Sequence, residues 1–150
     1  MEDLEKAILE ARKAVEAASD DGPDWSDLLA TLALKLGNKV KATKDRADLE
    51  EAIRAFREAL DATEREHPDR ITRQVSLMNL LSDKSMLTGE MDDLEKALSV
   101  AQQAVDETPE DHPQFLMCLI TLGYRFRHKY GATGTTADLE KAIAVSNQAM

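Results

Sequence analysis

Few residue types in this chain could do covalent or acid–base chemistry. Cys118 with His112 or His128 offers a thiol and an imidazole, the pair a nucleophilic catalyst needs when the base lies within hydrogen-bond reach of sulfur. Asp-Leu-Glu-Lys offers paired carboxylates at Asp3–Lys6, Asp93–Lys96 and Asp138–Lys141, with Asp-Leu-Glu-Glu at Asp48–Glu51. Each has a simpler role. Cys118 stands next to Leu119 on an apolar helical stripe, where a small buried thiol is ordinary. His112 occupies the same slot as His67, directly before a proline, a turn-building position. An acidic pair that recurs four times behaves as a repeat element, and it suits the positive, solvated start of a helix. No HExxH, CxxC or phosphate-cradling glycine loop occurs, so no metal, cofactor or catalytic site is expected.

The elements that hold these residues follow from composition and period. The chain has 150 residues, 43% hydrophobic and 32% charged but only 4% aromatic, with 6 Gly and 4 Pro. Alanine and leucine dominate, which favours helix and excludes collagen-like, disulfide-rich and disordered classes. The net charge of −10 opposes phosphate backbones and anionic lipid, so neither nucleic acid nor a membrane surface is an expected partner. No apolar run approaches the ~18 residues of a membrane span, and Met1-Glu2-Asp3 is not the start of a signal peptide. The single cysteine points to a reduced, cytoplasmic setting.

Self-similarity fixes the organisation. Asp-Leu-Glu-Lys-Ala-Ile at Asp3–Ile8 returns at Asp138–Ile143, with near-copies at Asp48–Ile53 and Asp93–Leu98, a constant step of 45 residues. Pro23, Pro68 and Pro113 keep that step, as do Leu32, Leu77 and Leu122, and Lys39, Lys84 and Lys129. Each unit reads as two helices. The B helix starts near Asp48, carries the stripe Leu49, Ala52, Ile53, Phe56, Ala59 and Leu60, and stops near Thr63; the first copy spans Asp3–Ala18. Asp92 with Glu95 has capping-box spacing. The A helix follows each His-Pro or Gly-Pro, with proline in its first turn, and shows Leu119, Leu122, Gly123, Phe126 and Tyr130 in the last copy. A connector such as Gly131–Ala137 separates A from B. The order is B-A-B-A-B-A-B, seven helices and no strand. One pair cannot cover its own apolar face, so pairs must stack, and the expected class is an all-α, right-handed α-solenoid of antiparallel pairs.

These residues resemble the tetratricopeptide repeat (TPR), whose pattern is W-x2-L-G-x2-Y, A-x3-F and a closing P. Leu122-Gly123-x-x-Phe126 matches its centre, with Leu119 in the tryptophan slot; Ala52-x3-Phe56 matches Ala-x3-Phe, and Ala97 leads to Pro109. The resemblance covers nearly the whole chain. The usual unit has about 34 residues, so 11 are extra, about seven assigned to the A–B connector and about four to the stretch after Pro109. The family glycine is Ala33 and Met78 in the first two units, and Gln74 replaces the large apolar residue that opens the stripe. Ala11, Ala101 and Ser146 stand where Phe56 keeps the aromatic. The long unit looks like the subclass common in fungal arrays, where such repeats accompany a signalling NTPase or a caspase-like protease domain.

The resemblance implies a non-catalytic protein–protein interaction scaffold, the sensing or docking part of a larger signalling protein. In such arrays the groove lies on the face of helix A turned away from helix B. Carried across, that face is Asp27, Ala30, Leu34 and Asn38, then Thr72, Val75, Asn79 and Asp83, then Met117, Ile120, Tyr124 and His128. Leu34, Val75 and Ile120 have a second reading, as packing between repeats. A subfamily that grips the C-terminal carboxylate of chaperone peptides with Lys, Asn and Arg on this face finds only Asn79 here. An apolar floor with Asp27 and Asp83 at its rim suits a basic, amphipathic peptide segment.

Residues 1–150 are expected to form one domain: a half repeat over 1–22 and repeats over 23–67, 68–112 and 113–150. Both end helices keep apolar stripes, Leu4, Ala7, Ile8, Ala11, Ala14 and Val15 at one end, Leu139, Ala142, Ile143, Val145 and Ala149 at the other. That pattern is expected of a cut through a longer array, and the alternative function it supports is head-to-tail self-association through a structural module.

Overall fold

A computed structural model describes residues Met1–Met150. Seven α-helices follow one another with no strand: α1 (Glu2–Ala17), α2 (Trp25–Thr43), α3 (Arg46–Asp61), α4 (Arg70–Thr88), α5 (Met91–Glu107), α6 (Phe115–Thr133) and α7 (Thr136–Ala149). The odd-numbered helices are the B elements and the even-numbered ones the A elements, in the order the period requires. The chain divides into two compact units, Met1–Leu80 and Leu81–Met150.

In the first unit α2 packs against α1 and α3. The stripe Leu49, Ala52, Ile53, Phe56 and Ala59 is buried, together with Ala55, and it meets Leu29, Leu32, Ala33, Leu36 and Val40 of α2. Each large apolar side chain taken from water there contributes about 1.5–3 kcal/mol. Arg12 of α1 reaches across to α3 as a two-pronged pair, its Nε 2.8 Å from Glu51 Oε1 and its Nη2 2.6 Å from Oε2. That bond holds the Glu51 carboxyl below its ordinary value. In the second unit α6 packs against α5 and α7, burying Leu94, Ala97, Leu98, Ala101 and Ala104 of α5 with Cys118, Leu119 and Leu122 of α6. A Cβ placed on Gly123 would rest 3.5 Å from Val145 Cγ1 and Ser146 Oγ, which is ordinary contact. No steric rule therefore demands glycine at this register, and Ala33 and Met78, both fully buried, fill it in the other copies.

The joint between A and B differs from the expectation. Gly131, Ala132 and Thr133 are not connector but helix; only two residues, Gly134 and Thr135, lie between α6 and α7. The same holds at Lys44-Asp45 and Gly89-Glu90. The residues assigned to a longer connector therefore lengthen both helices, Gly131–Thr133 joining α6 and Thr136-Ala137 opening α7, and the A helix has 19 residues in each copy. A threonine repeats the mechanism that stops it. Thr43, Thr88 and Thr133 each donate Oγ1 to the carbonyl four residues back, at 3.0 Å, and each accepts the backbone N–H two residues on, at 3.2 Å. The residue between is left-handed: Lys44 at φ 57°, Gly89 at 74° and Gly134 at 67°. Glycine takes that conformation freely and lysine does not.

Two helix starts also differ. The residue that caps α5 is Glu90, with Asp92 already inside the helix, so Asp92 and Glu95 form no capping box. At α3 the capping carboxylate is that of Asp45, which accepts the Asp48 N–H at 2.9 Å. The prolines stand before the A helices and not in their first turn, because α2, α4 and α6 begin at Trp25, Arg70 and Phe115. Pro68 lies inside a turn in which Arg70 N–H bonds the His67 carbonyl at 3.1 Å. In the corresponding turns Asp24 (φ −93°, ψ −3°) and Gln114 (φ −93°, ψ −1°) adopt the third-residue geometry of a type I turn, which favours proline just before them.

The repeated aspartate is not solvated. Asp48, Asp93 and Asp138 are buried, and each faces the lysine of the preceding A helix. Lys39 Nζ lies 2.8 Å from Asp48, Lys84 3.4 Å from Asp93, and Lys129 3.5 Å from Asp138. Lys129 also reaches back 2.6 Å to Glu95 of α5, so one ammonium ties three helices together, and the Glu95 bond raises it above its ordinary value. Asp3 holds the same register but is exposed. Replacing Asp93 with Asn should therefore cost about 2–4 kcal/mol in urea unfolding, because the buried charge that Lys84 meets in the first turn of α5 is lost. The matched change Asp3→Asn should stay within about 0.5 kcal/mol. Equal losses at the two sites would show that the pair stabilises nothing beyond the helix start. At the strained joint, Lys44→Gly should raise stability by about 0.5–1 kcal/mol, the left-handed penalty minus the entropy glycine adds to the unfolded chain.

Candidate functional site

The long A helices leave one face unburied by their B neighbours, and most of the sequence-derived groove residues lie on it. In the first unit Leu34 is 50% exposed, and Asp27 and Asn38 are exposed beside it. Ala30 is the exception: at 6% exposure it belongs to the core and touches the surface only as the floor of a cleft. Thr72 and Asn79 of α4 are exposed and Val75 is half-buried. The cleft, about 340 Å³, runs between α2 and α4 and is lined by Asp27, Ala30, Thr31, Leu34, Thr72, Arg73 and Ser76, with Phe56 of α3 at its base. Its rim is an ion pair. Arg73, itself 4% exposed, donates to Asp27 and, at 2.6 Å, to Thr63 Oγ1. A buried guanidinium needs such an acceptor, so Asp27 is held by the fold and is not a free acid waiting for a basic ligand.

Asp27, His67 and Asp69 bring three potential metal donors within 4.8 Å of one another. Their chemistry does not favour a cation. His67 Nδ1 accepts the Asp69 backbone N–H at 3.2 Å, which leaves the proton on Nε2, pointing at Asp27 Oδ1 3.9 Å away. Coordination by Nε2 would place a proton on Nδ1 against that N–H, and Asp27, one of the two remaining ligands, already accepts from Arg73. His112 makes the same turn bond, accepting from Gln114 N–H at 3.1 Å. Both histidines build turns.

In the second unit the exposed face of α6 is apolar along one line. Met117, Ile120 (58%) and Tyr124 (55%) point outward, with Leu116 beside them. The reading of Leu34 and Ile120 as packing between repeats does not hold, since each keeps half or more of its surface open. The line ends in a pocket of about 400 Å³ formed by Tyr124, Arg127, His128, Gly131 and Ala132, with His128 half-buried in its wall. Arg125 and Arg127 flank the Tyr124 ring, 5.1 and 5.7 Å from its centre. Asp83, half-buried, acts on Arg125, and burial lowers that guanidinium from its ordinary value. Both acids that suggested a basic partner are thus opposed by arginines. Cys118 is wholly buried, with the Thr108 hydroxyl 3.8 Å from its sulfur, and burial raises the thiol above its ordinary value.

Sequence reasoning found the outward face but missed Arg73 and Arg127. Arg73 shares its register with Leu28 and Cys118, so the period carries no signal for it. Arg127 becomes part of a pocket only because α6 continues past it to Thr133, where a connector was expected.

No family model matches the chain, and no curated protein does. A solved structure is similar: a crystal structure of a Podosopora anserina putative kinesin light chain with nearly identical TPR-like repeats, at 15% sequence identity and a TM-score of 0.64, covering 97% of this chain and 68% of that one. A likeness at that identity speaks for the fold alone, and the fold of this chain is a TPR-like array of helix pairs.

Proposed function

We propose that this protein is a non-catalytic interaction scaffold that takes a peptide or partner segment on the outward faces of its A helices. In this reading it is the sensing or docking part of a larger, cytoplasmic signalling protein. One observation carries it. Leu34, Ile120 and Tyr124, at corresponding or adjacent places along α2 and α6, stay half or more exposed although buried positions one turn away are occupied by Leu, Ala and Gly. Scattered exposed apolar residues are normal, but a line of them on one helix face marks a surface meant to be covered. A groove of this kind binds by anchoring hydrophobic side chains, and the ligand supplies the sequence information. No helix is long and apolar enough to cross a membrane.

Peptides selected from a random display library on the purified chain supply the probe. Tyr124→Ala should weaken the selected peptide by about 2 kcal/mol or more, with helical circular dichroism unchanged. A loss of folding stability equal to the loss of binding would make Tyr124 a core residue and remove it from the site. The non-catalytic half is checked on Cys118. A catalytic thiolate labels quickly at neutral pH, whereas this thiol should react with a disulfide reagent only as fast as the protein unfolds. Full labelling within seconds in the native state would overturn that assignment.

A further inference from the structure

The charge of α6 runs against the charge of the chain. The protein carries −10 overall, yet α6 holds Arg125, Arg127 and Lys129 with no acidic residue between Phe115 and Thr133. Two of these cations are already committed. Lys129 bonds Glu95 and Asp138, and Arg125 is buried beside Asp83. Arg127 is different. It is exposed, the Tyr124 ring lies 5.7 Å from its guanidinium, and no carboxylate of the chain meets it. Its donors line a pocket that opens at the end of the apolar line Met117, Ile120 and Tyr124. A Cβ on Gly131 would meet nothing within 4 Å, so the space above that residue is empty of protein.

We propose that the occupant of α6 is an acidic amphipathic peptide segment, whose apolar side chains cover Ile120 and Tyr124 and whose carboxylate enters the pocket to pair with Arg127. This rests on the scaffold reading above and names its partner. The guanidinium is the one group on this face able to bind a carboxylate with two parallel hydrogen bonds, and the Tyr124 ring 5.7 Å away favours the cation beside it. A basic segment would find no acid here to pair with and would approach Arg127 at a cost. Anionic nucleic acid or lipid shares the carboxylate's charge, but the field of a −10 chain opposes an extended polyanion far more than one short segment.

The test uses the same random-peptide display on the full chain and on three variants. Peptides selected on the unaltered protein should combine two or three apolar residues with Asp or Glu. Converting those acids to Asn or Gln should weaken binding about tenfold, the loss expected when one charge-assisted pair is removed. That tenfold should vanish on Arg127→Gln. Gly131→Met, which copies the residue found at this register as Met86, should fill the pocket and abolish the preference for acids while leaving the helix intact. Ile120→Asp should abolish selection altogether. Peptides that need Ile120 but are neutral or basic would overturn the acidic partner and leave the scaffold reading standing. An acid dependence that persists unchanged on Arg127→Gln would do the same. Peptides indifferent to Ile120→Asp, or no selected peptide at all, would overturn both.

Discussion

A lysine near the end of one helix and an aspartate in the first turn of the next set the geometry of every helix pair. Lys39 with Asp48, Lys84 with Asp93 and Lys129 with Asp138 each bridge a connector only two residues long. A carboxylate buried to 8% exposure or less is tolerated only when paired, and here the helix dipole adds to the lysine. The threonine that ends each A helix and the left-handed residue after it aim the chain so that the two charges meet. With that corner in place the apolar stripes of A and B meet, and the A face turned from B is left to solvent.

The same corner sets the length of the outward face. A 19-residue helix is about 28 Å long, and Gly131, Ala132 and Thr133, expected in the connector, supply most of its last turn. That turn carries Gly131 and Ala132, which complete the wall of the pocket formed with Tyr124, Arg127 and His128. Had the extra residues formed a loop, as their glycines and threonines suggested, the pocket would not exist. The longer repeat thus has a chemical consequence and is not padding between elements.

The period made the helix order, the buried stripes and the outward face legible, because spacing of three and four survives any error in where a helix ends. What spacing could not reveal were the partners. Asp48 and its copies read as solvated helix starts because acids at such positions usually are; only the lysine recurring nine residues earlier hinted otherwise. Thr133 looked like a loop residue since threonine is a modest helix former, yet its hydroxyl, like those of Thr43 and Thr88, bonds back to the last turn of the helix it closes. Asp27 looked like a free rim charge because Arg73 is 46 residues away in sequence and has no counterpart in the other copies. Pairings across helices depend on three-dimensional register, which periodicity leaves undetermined.

Comparing the copies separates what the array needs from what it offers. The positions that keep their chemistry from unit to unit, Leu32, Leu77 and Leu122 or Lys39, Lys84 and Lys129, are the ones that pack or pair. The outward positions do not keep it: Asp27, Thr72 and Met117 share one register, Leu34, Asn79 and Tyr124 another, Asn38, Asp83 and His128 a third. A surface serving only to hold repeats together would be bound by the same constraint as the core and would repeat with it. Repeated interior chemistry beneath a face that changes with each copy lets the outward residues of each unit vary without disturbing the joint that holds it.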